Sequence, residues 1–200
     1  MTTNSQGYGE GLLLHDFTDG DPRSELGTEW EGFTDRVMGG RSTISSGIVP
    51  GDEGYLLRLS GRVSLENNGG FIQVRLMLAE DGGFDAEEYS GIAVVARRAD
   101  GGVDTADGGV DTADAAGKES GGYYLHLRTP RTLFPWAHYA APLPVGRDWR
   151  EVRVPFTAFE PKYMMGGGKA NLRRLRSLAI VAAWRAFDAD LRVRRVGFYK

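Results

Sequence analysis

The first group of polar side chains able to contact a ligand or a partner lies in the segment 35–42. Asp35, Arg36 and Arg41 surround a double glycine there. Glycine adopts backbone angles that other residues resist, so the segment predicts a tight, strained turn at positions 39 and 40. The carboxylate of Asp35 is expected to accept hydrogen bonds from amides of the turn.

A second motif, at residues 67–70, places Asn67 and Asn68 before another double glycine. Asparagine and glycine both tolerate positive φ, and the motif therefore predicts a second demanding turn. Turn formation alone explains these residues. If the two turns lie together at one end of the fold, their arginines and amides form a candidate partner or ligand site.

Other candidates lie on predicted strands and in one loop. Tyr124, His126 and Arg128 alternate on one strand face, which is either a binding surface or a solvated face, and Arg75 lies on the polar face of another strand. Trp136 follows a proline in a loop with further aromatic residues. An exposed aromatic ring there could stack on a sugar or anchor a protein.

The residues do not predict catalysis. The three histidines, His15, His126 and His138, lack metal-site spacing, and no serine lies in a nucleophile-elbow context. The chain has no cysteine, which excludes disulfides and thiolate sites. We therefore expect a non-enzymatic protein with no cofactor and no metal.

Alternating apolar residues predict the strands that position these side chains. Residues 55–65 and 72–78 both show a period of two, and the motif at 67–70 between them predicts a central hairpin. Gly61 predicts a bend, a bulge or a close backbone approach. Leu178, Ile180, Ala182 and Trp184 share one parity of a later strand, and a change of phase near residues 194–195 predicts a β-bulge.

Composition agrees with one all-β domain. The chain has 200 residues and 29 glycines, which suits many turns between short strands. A net charge of −3 does not favour nucleic acid as a partner, and no segment is apolar and long enough for a membrane span. We expect a disordered leader at 1–11, a single domain at 12–200, and a soluble cytoplasmic protein without a signal or transit peptide.

The segment 100–120 contains an exact repeat, Gly-Gly-Val-Asp-Thr-Ala-Asp, at 101–107 and 108–114. The aspartates of this segment are Asp100, Asp104, Asp107, Asp111 and Asp114. Carboxylates at short spacing suit a calcium loop, but exact repetition and polar composition favour a solvated surface-loop insertion.

The motifs at 35–42 and 65–75, with later segments up to Tyr199, resemble the CIA30 family, named for complex I intermediate-associated protein 30. The resemblance extends over about residues 12–199. It implies a galactose-binding-like jelly-roll β-sandwich with little helix, which the strand pattern also favours. It further implies a protein-binding assembly factor whose partners are subunits or intermediates of a multi-subunit complex. The fold alone leaves a carbohydrate- or small-ligand-binding module as the alternative.

Overall fold

The computed structural model describes residues 11–79, 83–99, 122–164 and 168–200. Residues 1–10 of the expected leader and the expected insertion at about 100–120 lie outside the described residues, as does the calcium alternative for that segment. None of the helical turns in the described ranges has the length and apolarity of a membrane span.

The described residues form two antiparallel six-stranded sheets packed face to face. The strands are β1 Leu12–Asp16, β2 Trp30–Thr34, β3 Ser45–Gly51, β4 Gly54–Val63, β5 Phe71–Met77, β6 Gly91–Arg98, β7 Gly122–Arg128, β8 His138–Pro142, β9 Arg150–Pro155, β10 Glu160–Lys162, β11 Ser177–Ala183 and β12 Phe187–Tyr199. Helix is confined to short 3₁₀ turns in these ranges, such as Asp35–Met38 and Leu172–Arg174. This architecture is the predicted all-β sandwich.

Sheet I has the order β3-β4-β12-β6-β9, and β1 also pairs with the long strand β12. The register of β12 shifts between Val193 and Arg195, where the predicted bulge is confirmed. The bulge turns Val196 and Phe198 to the same buried side as Leu191 and Val193, and all four are almost completely buried.

Sheet II has the order β10-β8-β7-β11-β5-β2. Its inner face supplies side chains such as Val74, Leu125 and Ile180 to the main hydrophobic core. Its outer face has a second, smaller cluster in which Tyr124 packs with Val181. Strand β11 is consequently buried on both faces, and every residue from Ser177 to Ala183 is buried.

The predicted central hairpin is wrong, although both of its strands are present. Strand β4 belongs to sheet I and β5 to sheet II, and residues 64–70 cross between the sheets. Asn67 and Gly70 do adopt positive φ, of 56° and 138°, as their residue types predicted. Alternation shows that a segment is a strand with one buried face, but two facing sheets satisfy that pattern as well as one hairpin does.

The close approach predicted at Gly61 is confirmed. A Cβ atom at this position would overlap the backbone oxygen of Thr43. The segment 43–44 therefore packs directly on β4, which only glycine allows at this point.

Candidate functional site

A concave cleft of about 560 Å³ lies on the outer face of sheet II. Its lining combines aromatic, aliphatic, amide and cationic side chains from the strands with loop residues at the rim. The lining residues used below are Phe33, Val37, Met38, Gly70, Arg75, His126, Arg128, Trp136, His138, Tyr163 and Trp184. No aspartate or glutamate of the described residues lines the cleft.

The strand register explains why the floor is concave. Arg75 on β5 pairs with Ala179 on β11, which pairs with His126 on β7. Neighbouring strands are about 4.8 Å apart, so Arg75 and His126 face each other across roughly 10 Å with only a methyl group between them. Two large side chains separated by a small one leave a depression in the sheet surface.

His126 and His138 stack at the floor, with ring centroids 3.8 Å apart and an interplanar angle of 15°. Burial lowers the pKa of His126 well below its ordinary value, and the positive charge of Lys162, together with that of His138 when it is protonated, acts in the same direction. Burial lowers the pKa of His138 to about 4, assisted by Arg128 and Lys162. Both imidazoles are therefore neutral at pH 7.

The hydrogen bond at His138 determines its tautomer. Its Nδ1 lies 2.7 Å from the carbonyl oxygen of Trp136. A carbonyl oxygen only accepts, so Nδ1 carries the proton and Nε2 is left with a lone pair. The Nε2 atoms of His138 and His126, and the Nε atom of Arg75, are buried without a hydrogen-bond partner. Three such atoms around one cleft are unusual, because buried polar atoms are almost always paired.

Arg128 braces the loop that forms one rim of the cleft. Its Nη2 donates to the carbonyl oxygens of Thr132, at 3.0 Å, and Phe134, at 2.8 Å. Phe134 stacks on Trp136 with centroids 5.3 Å apart and planes 4° apart. The indole of Trp136 remains 48 % exposed and lines the cleft. One face of the indole is thus supported by Phe134, which leaves the other face for a ligand.

The opposite rim is held in place by Asp35, which is completely buried. One of its oxygens accepts a hydrogen bond from the Ser42 amide at 3.0 Å, and the other accepts from the Ser42 hydroxyl and from the Gly70 amide, at 2.7 Å. These bonds join the turn at 35–42 to the start of β5. Val37 and Met38, which project at the rim, are positioned as a result.

Trp184 lies at the end of β11 and not in the main core, contrary to the alternation of its strand. Its φ is +67°, so the chain leaves the extended conformation directly after Ala183. The indole meets Tyr124 edge to face, with centroids 4.0 Å apart. Because Trp184 itself has left-handed backbone angles, its indole lies in the outer cluster with Tyr124 and not in the main core.

The structure brings some of the sequence candidates into the cleft. Arg75, His126, Arg128 and Trp136 line it. The alternative interpretation of His126 as a solvated strand position is wrong, since the residue is only 8 % exposed.

The remaining candidates lie outside the lining. Asp35 is buried beneath the rim, Tyr124 is buried under Trp184, and Arg36 is exposed. Arg41 forms a surface ion pair with Glu66 at 3.0 Å. Asn67 donates from its Nδ2 to the carbonyl oxygen of Gly39, so the two glycine turns do lie together. Asn68 lies in the same 3₁₀ turn, Glu66–Asn68.

Several lining residues were not predicted as site residues, notably Phe33, His138, Tyr163 and Trp184. One signal for this face was present in the sequence. Residues 178–183 are apolar without interruption, which indicates a strand buried on both faces and hence something packed on its outer side. Tyr163, which is 65 % exposed and has φ +54°, carries no comparable signal.

Solved structures with the same fold include carbohydrate-binding modules. The chain is 14 % identical to the family 11 carbohydrate-binding module of cellulosomal cellulase Lic26A-Cel5E of Clostridium thermocellum, with a TM-score of 0.64 and coverage of 94 % of each chain. It is 11 % identical to the family 30 module of cellulosomal cellulase Cel9D-Cel44B of the same organism, with a TM-score of 0.57 over 95 % of this chain and 97 % of that one. At these identities the likeness shows the fold alone.

Sequence comparison identifies a family over part of the chain only. No curated protein matches this chain. Residues 15–102 match the family model of Complex I intermediate-associated protein 30 (CIA30), a shorter span than the resemblance over residues 12–199. This span contains both glycine turns and the Asp35 bonds that join them. The resemblance to the CIA30 family is therefore confirmed over residues 15–102, on a β-sandwich fold shared with carbohydrate-binding modules.

Proposed function

We propose that this chain is a non-enzymatic binding module that holds a carbohydrate in the cleft of sheet II. The observation that carries the proposal is the set of buried, unpaired nitrogens of Arg75, His126 and His138 beside the half-exposed ring of Trp136. An aromatic face next to polar groups that need partners suits a ligand with both apolar and hydroxyl surfaces.

Hydroxyl groups match the hydrogen-bonding needs of the floor. The Nε2 atom of His138 offers a lone pair and needs a donor, whereas the Nε–H of Arg75 needs an acceptor. A sugar hydroxyl can do both. His138 must be neutral to accept a hydrogen bond from a sugar hydroxyl, and its lowered pKa keeps it neutral at pH 7.

The composition of the cleft supports binding without cleavage. Hydrolysis of a glycosidic bond ordinarily uses a pair of carboxyl groups on either side of the bond. The described residues that line the cleft include neither aspartate nor glutamate. The same-fold module of Clostridium thermocellum has been solved in complex with a β-1,3-1,4-mixed-linked tetrasaccharide, which supports a saccharide as ligand by analogy of fold only.

A protein-binding role in the assembly of a multi-subunit complex is the second candidate. The CIA30 match favours it, and so do exposed apolar side chains at Val37, which lines the cleft, and in the loop that carries Trp136. Val37 is 74 % exposed, Leu133 81 % and Phe134 49 %. Exposed apolar residues that cluster at one surface are typical of protein interaction sites. In this role the partner would cover the rim instead of filling the floor.

Titration calorimetry with a panel of oligosaccharides tests the first candidate. We expect at least one to bind the wild type, and Trp136→Ala to weaken that binding about tenfold or more through loss of stacking. Trp149→Ala is the matched control, since Trp149 lies between Arg97 and Arg194 on sheet I. Absence of binding by every oligosaccharide rejects the proposal. Capture of defined protein subunits by wild type but not by Trp136→Ala would support the second candidate instead.

A further inference from the structure

The cleft has an excess of positive charge that a neutral sugar does not use. Arg75 and Arg128 line it, and both Arg75 and Arg176 lie close enough to Arg128 to act on its charge. Burial lowers the pKa of Arg128, and the positive charges of these two arginines lower it further. Guanidinium groups stay protonated in spite of such shifts, so the floor keeps its cationic character at neutral pH.

Within the described residues, Arg128 has no carboxylate partner. Its hydrogen bonds go to the Thr132 hydroxyl and to the carbonyl oxygens of Thr132 and Phe134. Neutral acceptors orient a guanidinium without cancelling its charge. Arg128 therefore contributes a fixed positive charge, held in place by the same loop that presents Trp136.

Arg75 is only partly neutralised. Its Nη2 lies 3.3 Å from Glu31, whose side chain is 61 % exposed. Such an exposed ion pair is weak and easily exchanged. The guanidinium is also held over the ring of Phe33, 4.2 Å from the centroid, and its Nε is buried without a partner. The contact with Glu31 uses Nη2 and leaves the hydrogen-bonding capacity of Nε unused.

We infer that the ligand of this cleft is an acidic oligosaccharide, in which a uronate carboxylate binds Arg75 and Arg128 while a sugar ring packs on Trp136. This inference rests on the proposed function and narrows it. A carboxylate supplies the planar acceptor pair that arginine prefers, and the stacking ring supplies the apolar contact that a bare anion lacks. The absence of carboxylates from the described lining removes the main source of repulsion.

The test compares acids with their uncharged counterparts. Oligogalacturonate, oligomannuronate and oligoglucuronate are titrated beside the carboxyl-reduced oligosaccharide of the same linkage and length. We expect at least one acid to bind about tenfold more tightly than its reduced form, with the difference shrinking as salt is added. Polyglutamate is included as an anion without sugar, and we expect it not to bind.

Charge variants assign the preference to the cleft. Arg75→Gln should weaken binding of the acid far more than binding of the reduced oligosaccharide, because glutamine still donates a hydrogen bond to a hydroxyl but offers no charge to a carboxylate. An unfolding midpoint in urea close to that of wild type shows that the variant is folded. Glu31→Gln should strengthen binding of the acid, because among the described residues it removes the carboxylate that pairs with Arg75. Arg62→Gln is the matched control, since Arg62 forms a similar exposed ion pair with Asp188 on sheet I.

The outcomes separate the two proposals. Equal binding of acid and reduced forms, or a preference that survives Arg75→Gln, overturns the acidic ligand and leaves carbohydrate binding intact. Polyglutamate binding as tight as that of the uronates also overturns it, because charge alone would then be sufficient. If neither acids nor reduced forms bind, the proposed function fails and the inference fails with it.

Discussion

Replacing Asp35 by asparagine should markedly destabilise the protein. The carboxylate is completely buried and accepts hydrogen bonds from the amides of Ser42, Gly70 and Phe71 and from the Ser42 hydroxyl. An amide has one accepting oxygen, so its NH₂ group must face one of these donors. The substitution keeps the size of the side chain and changes only its hydrogen bonding.

The magnitude follows from the bonds that are lost. If the amide oxygen takes the position that serves Gly70, the NH₂ group faces the Ser42 amide, which loses its partner at a cost of about 1–3 kcal/mol. The remaining bonds become neutral and weaken by about 1 kcal/mol each. An amide is easier to bury than a carboxylate, which offsets part of the loss. We expect a net decrease of about 2–4 kcal/mol in the free energy of unfolding.

Urea unfolding followed by tryptophan fluorescence measures this change, with the free energy extrapolated linearly to water. Asp85→Asn is the control, because Asp85 is exposed and accepts one local hydrogen bond from the Glu87 amide. The control should stay within about 1 kcal/mol of wild type. A loss for Asp35→Asn no larger than that of the control would refute the structural role assigned to this carboxylate.

Acid should destabilise the protein through His138, whose pKa is about 4 when folded against 6.5 ordinarily. The unfolded chain binds the proton first, so the free energy of unfolding falls as the pH drops from 6.5 to 4, by about 3 kcal/mol for this residue. Urea titrations at several pH values should show a smaller loss for a His138→Gln variant. Equal losses of stability in wild type and variant would contradict this. Gly40→Ala should lower the melting temperature because its Cβ would overlap the Asp35 carboxyl group, whereas Gly47→Ala meets no atom within 4 Å and should not. Equal melting temperatures for the two variants would show that Asp35 shifts without cost.

The glycine turns show how far residue type predicts structure. Gly39, Asn67 and Gly70 have positive φ, as their types suggested. Gly40 does not, and its glycine is required by the nearby Asp35 carboxyl group. Residue type reports conformational freedom, but it does not distinguish a backbone requirement from a lack of space.

The cleft was predictable only in part. Arg75, His126, Arg128 and Trp136 were candidates because of their chemistry and strand parity. Their convergence depends on the strand order β7-β11-β5, in which neighbours come from distant parts of the sequence. Tyr163 and Trp184 were not predicted as site residues, because each has a left-handed backbone conformation that the local sequence does not indicate.

By itself, the sequence determined that segments such as 55–65, 72–78 and 178–183 are strands, and it determined where β12 bulges, because these properties depend on residues two positions apart. Only the tertiary structure decided that β4 and β5 lie in different sheets and that His126 and His138 stack at the floor of a cationic cleft. Pairing between strands is set by contacts over long sequence separations. Many pairings satisfy the same alternation, and packing of the whole core selects one.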